Sequence, residues 1–449
     1  MKRKTFIRLS SAIFTAPLVS SMKNWAQEEK LKNWAGNLTY NTSNVFYPRK
    51  VEEAQEWIKK SGRLRCLGTR HCFNSIADSK FGLISSRELN QVVGLDTAAR
   101  TVTVEGGIKY GELCPWLDQK GYALHNLASL PHISVAGSVS TATHGSGTGN
   151  GNLATAVNAL EMITADGNLR HFSRAGDGDK FLGVVVGLGV FGMITKVSLD
   201  IQPAFQMRQN VYQKLPFDQL KDHFEEIMSA GYSVSLFTDW QGDTLNEVWI
   251  KTRASDSRNY NERPVFFGAK AATVNLHPIA ELSAENCTPQ LGVPGPWYER
   301  MPHFKMGFTP SSGKELQTEY FVPRTRAVEA IFAVRKLADK IGPHLFISEI
   351  RCIAADNFWM SSCHNQASVA IHFTWKQEWE AVSRLLPLVE QALTPFEPRP
   401  HWGKLFTLSP KALDSRYEKL RDFKKLAAAY DPTGKFHNEF LDAAIFSKT

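Results

Sequence analysis

Hydrophobic and polar positions recur along the chain with two different periods, and the changes between them outline the elements. Val51, Ala54 and Ile58 fall on one helical stripe that is followed by Gly62, which predicts a helix over this segment. Residues 63–68 predict a strand, residues 92–104 two strands around a polar turn, residues 110–121 a second helix and residues 160–173 a hairpin. This opening is typical of an α/β or α+β domain.

The second half of the chain repeats helix and strand blocks around what we expect to be an antiparallel sheet. Helices are predicted near 216–230, 324–340 and 376–393, and strands at 232–240, 245–253, 345–354 and 368–375. Segregated blocks of this kind indicate an α+β fold. The length of 449 residues predicts more than one domain, and the first ends near residue 205.

The composition is that of an ordinary globular protein, with 21% charged and 43% hydrophobic residues. There is no apolar run of about 20 residues, so we expect no membrane-spanning helix. The six cysteines contain no C-x-x-C pair, which argues against a structural zinc site and a disulfide scaffold. We expect no metal.

The net charge of +8 is concentrated at the start of the chain. Residues 1–26 carry Lys2, Arg3, Lys4, Arg8 and Lys23 and no acid, and no later Lys/Arg cluster indicates nucleic-acid binding. We interpret residues 1–26 as a signal or leader segment, since Arg3 to Ile7 resembles a twin-arginine signal with Lys4 in place of the second Arg. Two locations stay open: export to the periplasm through this leader, or the cytoplasm with a disordered basic tail.

Residues 187–192 match the G-x-G-x-x-G dinucleotide fingerprint, but the context argues against that function. The fingerprint requires a helix after the third glycine, whereas residues 193–201 alternate with the period of a strand. A glycine-rich turn between strands is the better interpretation, and an NAD site of the Rossmann type is not expected.

Two other segments are suited to binding an anion. Residues 129–151 interleave glycines with Ser and Thr hydroxyls, and glycines let backbone N–H groups approach a pyrophosphate. The apolar residues Ile133, Val135 and Val139 favour a packed segment over a flexible linker. Residues 65–74, which include His71, form the second segment, and the two together favour a large phosphate-bearing cofactor.

Strand periodicity places four polar side chains on two otherwise apolar strands. Glu349 and Arg351 share one face of the first strand, and His372 and Thr374 share one face of the second. Buried polar groups are costly unless they are paired or solvated, so we expect these four to meet in a polar cleft or to pair with one another. A purely structural Glu349–Arg351 pair is the alternative.

These residues carry a family resemblance. Arg65-x-x-Gly68-x-x-His71 resembles the histidyl-flavin motif of the vanillyl-alcohol oxidase type of flavoproteins, and residues 134–147 resemble the pyrophosphate loop of that family. Within it, the segments GTRHCFNSIADS, SLPHISVAGS, TEYFVPR, SEIR, AIHFTW and RPHWGK resemble the alditol (xylitol) oxidases, a branch beside the aldonolactone oxidases. The likeness extends from about residue 34 to the end of the chain.

The resemblance implies a fold and a division into domains. The fold class is α+β, with an FAD-binding domain over 31–205 and a substrate (cap) domain over 206–430 that covers the flavin. Residues 431–449 would close the FAD site. The implied reaction is FAD-dependent oxidation of the terminal C1 hydroxyl of an alditol such as xylitol or sorbitol, with dioxygen reduced to hydrogen peroxide.

The resemblance also implies a set of site residues. His71 would carry FAD through a covalent bond, and the other cofactor-binding residues would be Gly68, Thr69, Arg70, Cys72, Ser129, Ser134, Gly137, Thr141, Ala142, Thr143, His144, Ile194 and His372. The substrate-binding positions would be Ser129, Glu349, Arg351, Thr374 and Lys404. The partners would be a small polyol and dioxygen, and we expect a monomer.

Alcohol oxidation requires stabilisation of a developing alkoxide, because an unactivated hydroxyl has a pKa far above 7. We expect Arg351 and Lys404 to orient the hydroxyl and His372 to accept its proton, since a histidine ring titrates near neutrality. Lys404 has a second candidate function: its ammonium group would favour hydride acceptance by stabilising the negative charge of the reduced flavin at the N1–C2=O edge.

Three other functions compete with alditol oxidation. The nearest is an aldonolactone oxidase or dehydrogenase with the same flavin and a sugar-acid lactone as substrate. The others are a carbohydrate-binding flavoprotein without activity, and an NAD dehydrogenase based on residues 187–192 alone.

Overall fold

The computed structural model describes residues 30–256, 263–306 and 314–447. The predicted leader, residues 1–26, lies outside the described residues. The strands are β1 (Val45–Phe46), β2 (Arg65–Leu67), β3 (Leu83–Ser85), β4 (Val92–Asp96), β5 (Thr101–Glu105), β6 (Tyr122–Ala123), β7 (Val157–Ile163), β8 (Leu169–Ser173), β9 (Met193–Asp200), β10 (Gln202–Pro203), β11 (Gln206–Pro216), β12 (Ser233–Thr238), β13 (Thr244–Arg253), β14 (Val265–Phe266), β15 (Ala269–Ala271), β16 (Gly295–Pro296), β17 (Glu315–Pro323), β18 (Leu345–Ile353), β19 (Ser368–Lys376) and β20 (Arg399–Pro400).

Nine α-helices in the described part of the chain lie between the strands, and the last three follow β20. They are α1 (Val51–Lys60), α2 (Tyr110–Gln119), α3 (Val135–Ser140), α4 (Arg174–Asp177), α5 (Asp179–Val185), α6 (Gln219–Met228), α7 (Ala327–Arg335), α8 (Ala338–Ile341), α9 (Trp379–Leu393), α10 (Pro410–Arg416), α11 (Leu420–Tyr430) and α12 (Glu439–Leu441). In α1 the buried residues are Ala54 and Ile58, four positions apart as the helical stripe predicts.

The first half of the chain builds three small sheets, of which the smallest is the antiparallel pair β6 and β10. Strands β1, β3 and β2 form a parallel sheet, and strands β4, β5, β9, β7 and β8 form an antiparallel sheet in that order. Val102, Val104, Val197 and Leu199 point from neighbouring strands β5 and β9 into one apolar core. The same core includes Leu413, Phe423 and Ile445 from the last part of the chain, so the C-terminal helices pack on the first half.

The second half builds one large antiparallel sheet. Its strands run in the order β14, β15, β11, β13, β12, β18, β19, β17 and β20, with β16 beside β11. Ile350 on β18 and Ile371 on β19 share a core with Leu220 of α6, Ile331 of α7 and Val389 of α9. Because side chains alternate across a strand, the neighbouring polar residues of β18 and β19 point to the opposite face.

A glycine turn joins the two halves. The amide of Gly147 donates to the carbonyl of Cys352 at 2.8 Å, at the end of β18. Gly147 has a φ of 132°, and a Cβ at this position would lie 2.5 Å from the Tyr232 carbonyl oxygen, so only glycine fits. Asn152 adds a buried hydrogen bond of 2.7 Å to Asp356. The polar face of the large sheet is thereby held against the first half.

The predicted α+β fold is confirmed, with two local corrections. The helix predicted over residues 324–340 is divided into a short 3-10 turn, α7 and α8, because the chain departs from helical hydrogen bonding after Arg335. The glycine run 187–192 precedes a strand, as predicted, but it follows helix α5 and not a strand. In the described part of the chain, no helix has both the length and the apolar character needed to cross a membrane.

Candidate active site

A cavity of about 670 Å³ lies between the two halves of the molecule. This size is within the range of about 300–1,000 Å³ that is usual for cofactor and ligand sites. One wall comes from the loop after β2 and from the glycine-rich segment around α3, and the opposite wall comes from the polar face of β17, β18 and β19. The segment 401–404 closes the side between them.

Most of the predicted site residues line this cavity. They are Gly68, Thr69, Arg70, His71, Cys72, Ser129, Gly137, Thr141, Thr143, His144, Glu349, Arg351, His372, Thr374 and Lys404. Three predicted cofactor residues lie behind the wall. Ser134 and Ala142 are buried within the glycine-rich segment, and Ile194 belongs to the core of the first half.

Arg65 fixes the loop that carries His71. Its buried guanidinium donates to four backbone carbonyls, those of Ile76, Leu188, Gly189 and Phe436, at 2.6 to 3.0 Å. These bonds join the loop after β2 to the glycine turn and to the C-terminal segment. Arg65 of the predicted motif therefore lines the cavity together with Gly68 to Cys72 and also fixes the loop that carries them.

The ring of His71 is held from two sides. Trp34 stacks on it with ring centroids 4.8 Å apart, and the Nε2 atom of His132 lies 2.7 Å from the Nε2 atom of His71. Burial, the larger cause, and the neighbouring His132 together lower the pKa of His71 to about 3. The ring is therefore neutral at pH 7, and its Nδ1 atom is buried without a hydrogen-bond partner among the described residues.

The glycine-rich segment brings its backbone to the surface of the cavity. A Cβ on Gly68 or Gly137 would lie 3.1 or 2.9 Å from the Ser134 hydroxyl oxygen, and this oxygen is buried without a partner among the described residues. Arg70 and Ala142 have φ values of 64° and 53°, a conformation that non-glycine residues rarely adopt. Such backbone geometry is concentrated at functional sites.

The opposite wall is a row of ionisable side chains set by strand register. Glu349 of β18 is paired with His372 of β19, and His372 is paired with Glu319 of β17. Gln317 and Thr374 form the next pair on the same face. Glu349, Arg351, His372 and Thr374 therefore share one cleft, as the two-residue spacing predicts.

Glu319 is the centre of this wall, and the sequence analysis did not single it out. Its carboxylate is fully buried and accepts hydrogen bonds from Arg351 Nη2 at 2.6 Å and from Lys404 Nζ at 2.7 Å. The His144 ring lies 3.2 Å from the same carboxylate. The alternation of Glu315, Gln317 and Glu319 along an otherwise apolar strand is the signal that could have identified it.

The two buried carboxylates are held in their charged form. Burial raises the pKa of a carboxyl group, but Lys404, His144 and Arg351 outweigh it and hold the pKa of Glu319 well below its ordinary value. Arg351 and His303 likewise outweigh burial at Glu349 and lower its pKa. Arg351 contacts Glu319 as well as Glu349, so the Glu349–Arg351 pair is part of a larger ion-pair network.

The expectation that His372 titrates near neutrality is wrong. Burial, followed by the positive charges of Lys404 and Arg351, holds the pKa of His372 well below its ordinary value. Its ring is neutral at pH 7, and its Nε2 atom has no hydrogen-bond partner among the described residues. A neutral ring with a free nitrogen is still able to accept a proton or a hydrogen bond from a bound molecule.

The segment 401–404 supplies two more side chains, of which only Lys404 was predicted. His401 lines the cavity, and its Nδ1 atom accepts a hydrogen bond from the amide of Gly403 at 3.1 Å. Asn74 holds this segment against the His71 loop by donating to the Trp402 and Lys404 carbonyls at 2.9 and 2.6 Å. Lys404 is therefore attached to both walls.

The C-terminal segment supports the cavity from outside. Asn438 donates to the carbonyls of Ser75, Ile76 and Asp78, and Asp431 accepts from the amides of Lys435 and Phe436. In the described part of the chain, the residues that line the cavity end at Lys404. The segment is thus placed behind the His71 loop, and its predicted closing function stays a prediction.

Comparisons with known proteins define the class of protein first. Residues 42–173 match the FAD binding domain family, and residues 309–444 match the D-arabinono-1,4-lactone oxidase family. Cholesterol oxidase from B. sterolicum has a similar fold, with a TM-score of 0.75 over 96% of this chain and 100% of that chain, at 14% identity. The protein is an FAD-dependent oxidoreductase with the vanillyl-alcohol oxidase type of fold.

The relatives by sequence define the family more narrowly. Alditol oxidase of a Streptomyces species is 47% identical over 413 residues, which cover 91% of this chain and 97% of the relative. L-gulonolactone oxidase of Bos taurus is 25% identical over 93% of this chain and 98% of the relative. The chain belongs to the alditol oxidase family.

The cavity is suited to FAD on its own geometry. Glycines expose backbone where a pyrophosphate would approach, the Ser134 hydroxyl beneath them has no partner, and Thr141 and Thr143 supply further hydroxyls at the surface. The unpartnered Nδ1 atom of His71 lies on the same wall. These residues would hold the cofactor, and the ion-paired wall faces them across the cavity.

Proposed function

We propose that this protein oxidises the terminal C1 hydroxyl of an alditol such as xylitol or sorbitol to the aldose. FAD, when bound, accepts the hydride from carbon, and dioxygen is the proposed final acceptor, giving hydrogen peroxide. One observation carries the proposal. A buried row of Glu349, His372 and Glu319, flanked by Arg351 and Lys404, faces the cofactor wall across the cavity.

Arg351 and Lys404 supply the positive charge that alcohol oxidation needs. A hydroxyl placed between them is a better acid than in water, since fixed cations in a buried site stabilise a developing alkoxide. Glu319 binds both cations at 2.6 and 2.7 Å and so holds them in place before substrate arrives. No reorganisation of these charges is required during the reaction.

His372 is the proposed proton acceptor. Its free Nε2 atom and neutral ring allow it to accept the hydroxyl proton as the hydride leaves carbon. The ring is paired with Glu349 and with Glu319 in the strand register, and the negative charge of Glu319 counters in part the positive charges of Lys404 and Arg351 that lower its pKa. Proton transfer and hydride transfer together convert the alcohol to an aldehyde, so atoms and charges balance.

The remaining polar groups suit a chain of neutral hydroxyls. Glu349, Gln317 and Thr374 line the same wall and supply acceptors and donors at successive strand positions. Ser129, whose hydroxyl lies 3.4 Å from Arg351 Nη1, would contact substrate from the cofactor side. A linear polyol presents several hydroxyls to such a row.

Steady-state kinetics on three substrates test the choice of a polyol. We expect kcat/KM for xylitol and sorbitol to exceed that for L-gulono-1,4-lactone by about a hundredfold or more, because a site with paired donors and acceptors rejects molecules that leave them unpaired. The lactone is the specific competitor, since one matched family and the Bos taurus relative are named for lactone substrates. The reverse order of kcat/KM would favour the lactone.

We further propose that His71 binds FAD covalently through its Nδ1 atom. The Nε2 atom of His71 is engaged with His132 at 2.7 Å, which leaves the lone pair on Nδ1 for the bond. The bond would replace a C–H bond of the flavin 8α-methyl group and the N–H bond of the ring; the two electrons and two protons released would reduce the flavin, which dioxygen would then reoxidise. Acid-precipitated protein should stay yellow, and a peptide containing His71 should carry the flavin mass. His71→Ala is the control and should release its flavin on precipitation. Colour that washes out of the wild-type protein would exclude the bond.

A further inference from the structure

A lysine on the large sheet is buried where the proposed reaction does not use it. Lys251 of β13 is 1% exposed. Its Nζ atom lies 2.6 Å from the Met301 carbonyl, 3.0 Å from the Pro302 carbonyl and 3.1 Å from His303 Nδ1. An ammonium group has three N–H donors and no acceptor, so these three contacts match its capacity.

The partner of Lys251, His303, connects it to the active site. The His303 ring packs edge-on between Phe237 and Trp249, with centroids 5.5 and 5.1 Å away. Its Nε2 atom lies 2.8 Å from Glu349 Oε1. The backbone amide of His303 also donates to the Ser129 carbonyl at 3.2 Å, so the residue contacts both walls of the cavity.

The charge on Lys251 determines which nitrogen of His303 carries the proton. Because the ammonium only donates, Nδ1 must accept, and the proton of the neutral ring must therefore lie on Nε2. This Nε2–H group donates to Glu349. In the other tautomer, the Nε2 lone pair would face a carboxylate, which is repulsive.

Glu349 is consequently held by a hydrogen bond at one oxygen and by an ion-pair contact at the other. His303 donates to Oε1, and Arg351 Nε lies 3.5 Å from Oε2. Without His303 the carboxylate is free to turn fully towards Arg351. That movement would remove an acceptor from the cavity wall and would compete with Glu319 for the same guanidinium.

We propose that Lys251 and His303 are positioning residues, which fix the Glu349 carboxylate so that it accepts a hydrogen bond from the polyol chain. The proposal rests on the proposed alditol oxidation. Neither residue contacts the reacting carbon in this arrangement, so substrate binding and not hydride transfer depends on them. The expected effect on substrate binding depends on one hydrogen bond, from His303 to the charged Glu349 carboxylate.

Two variants at His303, one at Lys251 and one at a distant histidine test the proposal. His303→Leu removes the donor and should raise the KM for xylitol about tenfold or more, with kcat within about threefold. His303→Gln should restore most of the loss, because an amide offers an acceptor to Lys251 and a donor to Glu349. Lys251→Met should raise KM less than His303→Leu. His171→Leu, on the exposed side of β8, should leave KM unchanged.

The pH profile supplies a second readout. Burial lowers the pKa of Lys251 to about 7, and the groups that face it are His303, Glu349, Cys287, Arg300 and Arg351. Its positive charge is lost as the pH rises through that value, and the neutral amine then holds the acceptor nitrogen of His303 less strongly. The KM of the wild-type enzyme should therefore rise above about pH 7. The KM of His303→Gln should change less, because an amide oxygen accepts from an amine as well as from an ammonium.

The outcomes separate this inference from the proposed function. If wild-type flavin is not reduced by any polyol, the proposed function fails first. If it is reduced, but His303→Leu and His303→Gln have the wild-type KM or raise KM equally, the positioning function is wrong. Should His303→Leu not accumulate as yellow protein, parallel pH profiles of KM in wild type and His303→Gln would overturn it.

Discussion

At the residue scale, one buried carboxylate organises the chemistry of the cavity. Glu319 binds Arg351 and Lys404 at the same time, so the two cations are fixed before substrate binds. Buried ion pairs contribute little net stability when complete, but removal of one partner leaves an uncompensated charge. Removal of Glu319 would leave two uncompensated charges, those of Arg351 and Lys404.

The variant Glu319→Gln makes this dependence measurable. We expect it to lower the free energy of unfolding at pH 7 by about 3–5 kcal/mol, because Arg351 and Lys404 stay buried without their carboxylate. Glu56→Gln is the control, since its ion pair with Lys60 is exposed, and it should change stability by less than about 1 kcal/mol. Denaturant unfolding of the two purified variants gives both values.

The same difference should depend on pH. The pKa of Glu319 in the folded protein lies well below the ordinary value of 4.5, so its contribution is complete above that value and is lost as the pH falls below it. The gap between wild type and Glu319→Gln should therefore shrink below about pH 4.5. Burial raises the pKa of Asp356 to about 6, so its effect on the pH dependence of stability has the opposite sign. This effect is the same in both proteins and leaves their difference unchanged. A gap that is constant from pH 7 to acid would contradict the assignment.

Period-two spacing predicted part of this wall from the sequence. It placed Glu349 with Arg351 and His372 with Thr374 on shared faces, and the structure brings all four to one cleft. Glu319 has the same two-residue spacing with Gln317 and Glu315 on β17, but its contacts with Arg351 and Lys404 follow only from the folded sheet. His303 could not be placed in this way, because it lies in an irregular segment without a period.

At the scale of elements, glycines set the close approaches that hold the cofactor wall. Gly106 and Gly107 end β5 and lead into α2, and the amide of Gly107 donates to the Leu89 carbonyl at 2.8 Å. A Cβ on Gly107 would lie 1.9 Å from the Ser86 carbonyl oxygen. The backbone therefore passes where no side chain fits.

Two alanine substitutions on neighbouring elements test this close packing. Gly107→Ala should lower the free energy of unfolding by about 3 kcal/mol, because backbone on both sides must move. Gly94→Ala on β4 meets nothing within 4 Å and should stay within about 1 kcal/mol of wild type. The stabilities of the two variants are compared by their denaturant midpoints, at equal slope of the free energy of unfolding against denaturant concentration. Equal stability of the two variants would show that the Gly107 turn relaxes freely.

The sequence predicted most elements and fewer of their connections. The helix over residues 51–60 and the strands at 345–353 and 368–376 have clear periods, and the structure confirms them. Strand order does not follow chain order in the large sheet, where β12 pairs with β18 across more than 100 residues. Such pairings depend on tertiary packing, which local periodicity does not contain.

At the scale of the whole molecule, the cavity exists because two separately packed halves meet. The first half supplies the His71 loop and the glycine-rich segment, and the large sheet supplies the ionised wall. Gly147, Asn152 and Asn74 hold the two together through buried hydrogen bonds. The pattern of elements predicted a division near residue 205. One apolar core lies wholly after it, from Tyr212 to Phe396, whereas the other combines residues of the first half with later residues such as Trp297 and Leu413.

That this protein binds a flavin and that an alditol reduces it is tested most directly by the visible spectrum of the purified protein, recorded without oxygen before and after xylitol is added. We expect a yellow protein whose flavin absorption is bleached by about one equivalent of xylitol. In air the absorption should return, and about one equivalent of hydrogen peroxide should form. A preparation that stays colourless after growth with added riboflavin, or a yellow one that neither xylitol nor sorbitol bleaches, would contradict it.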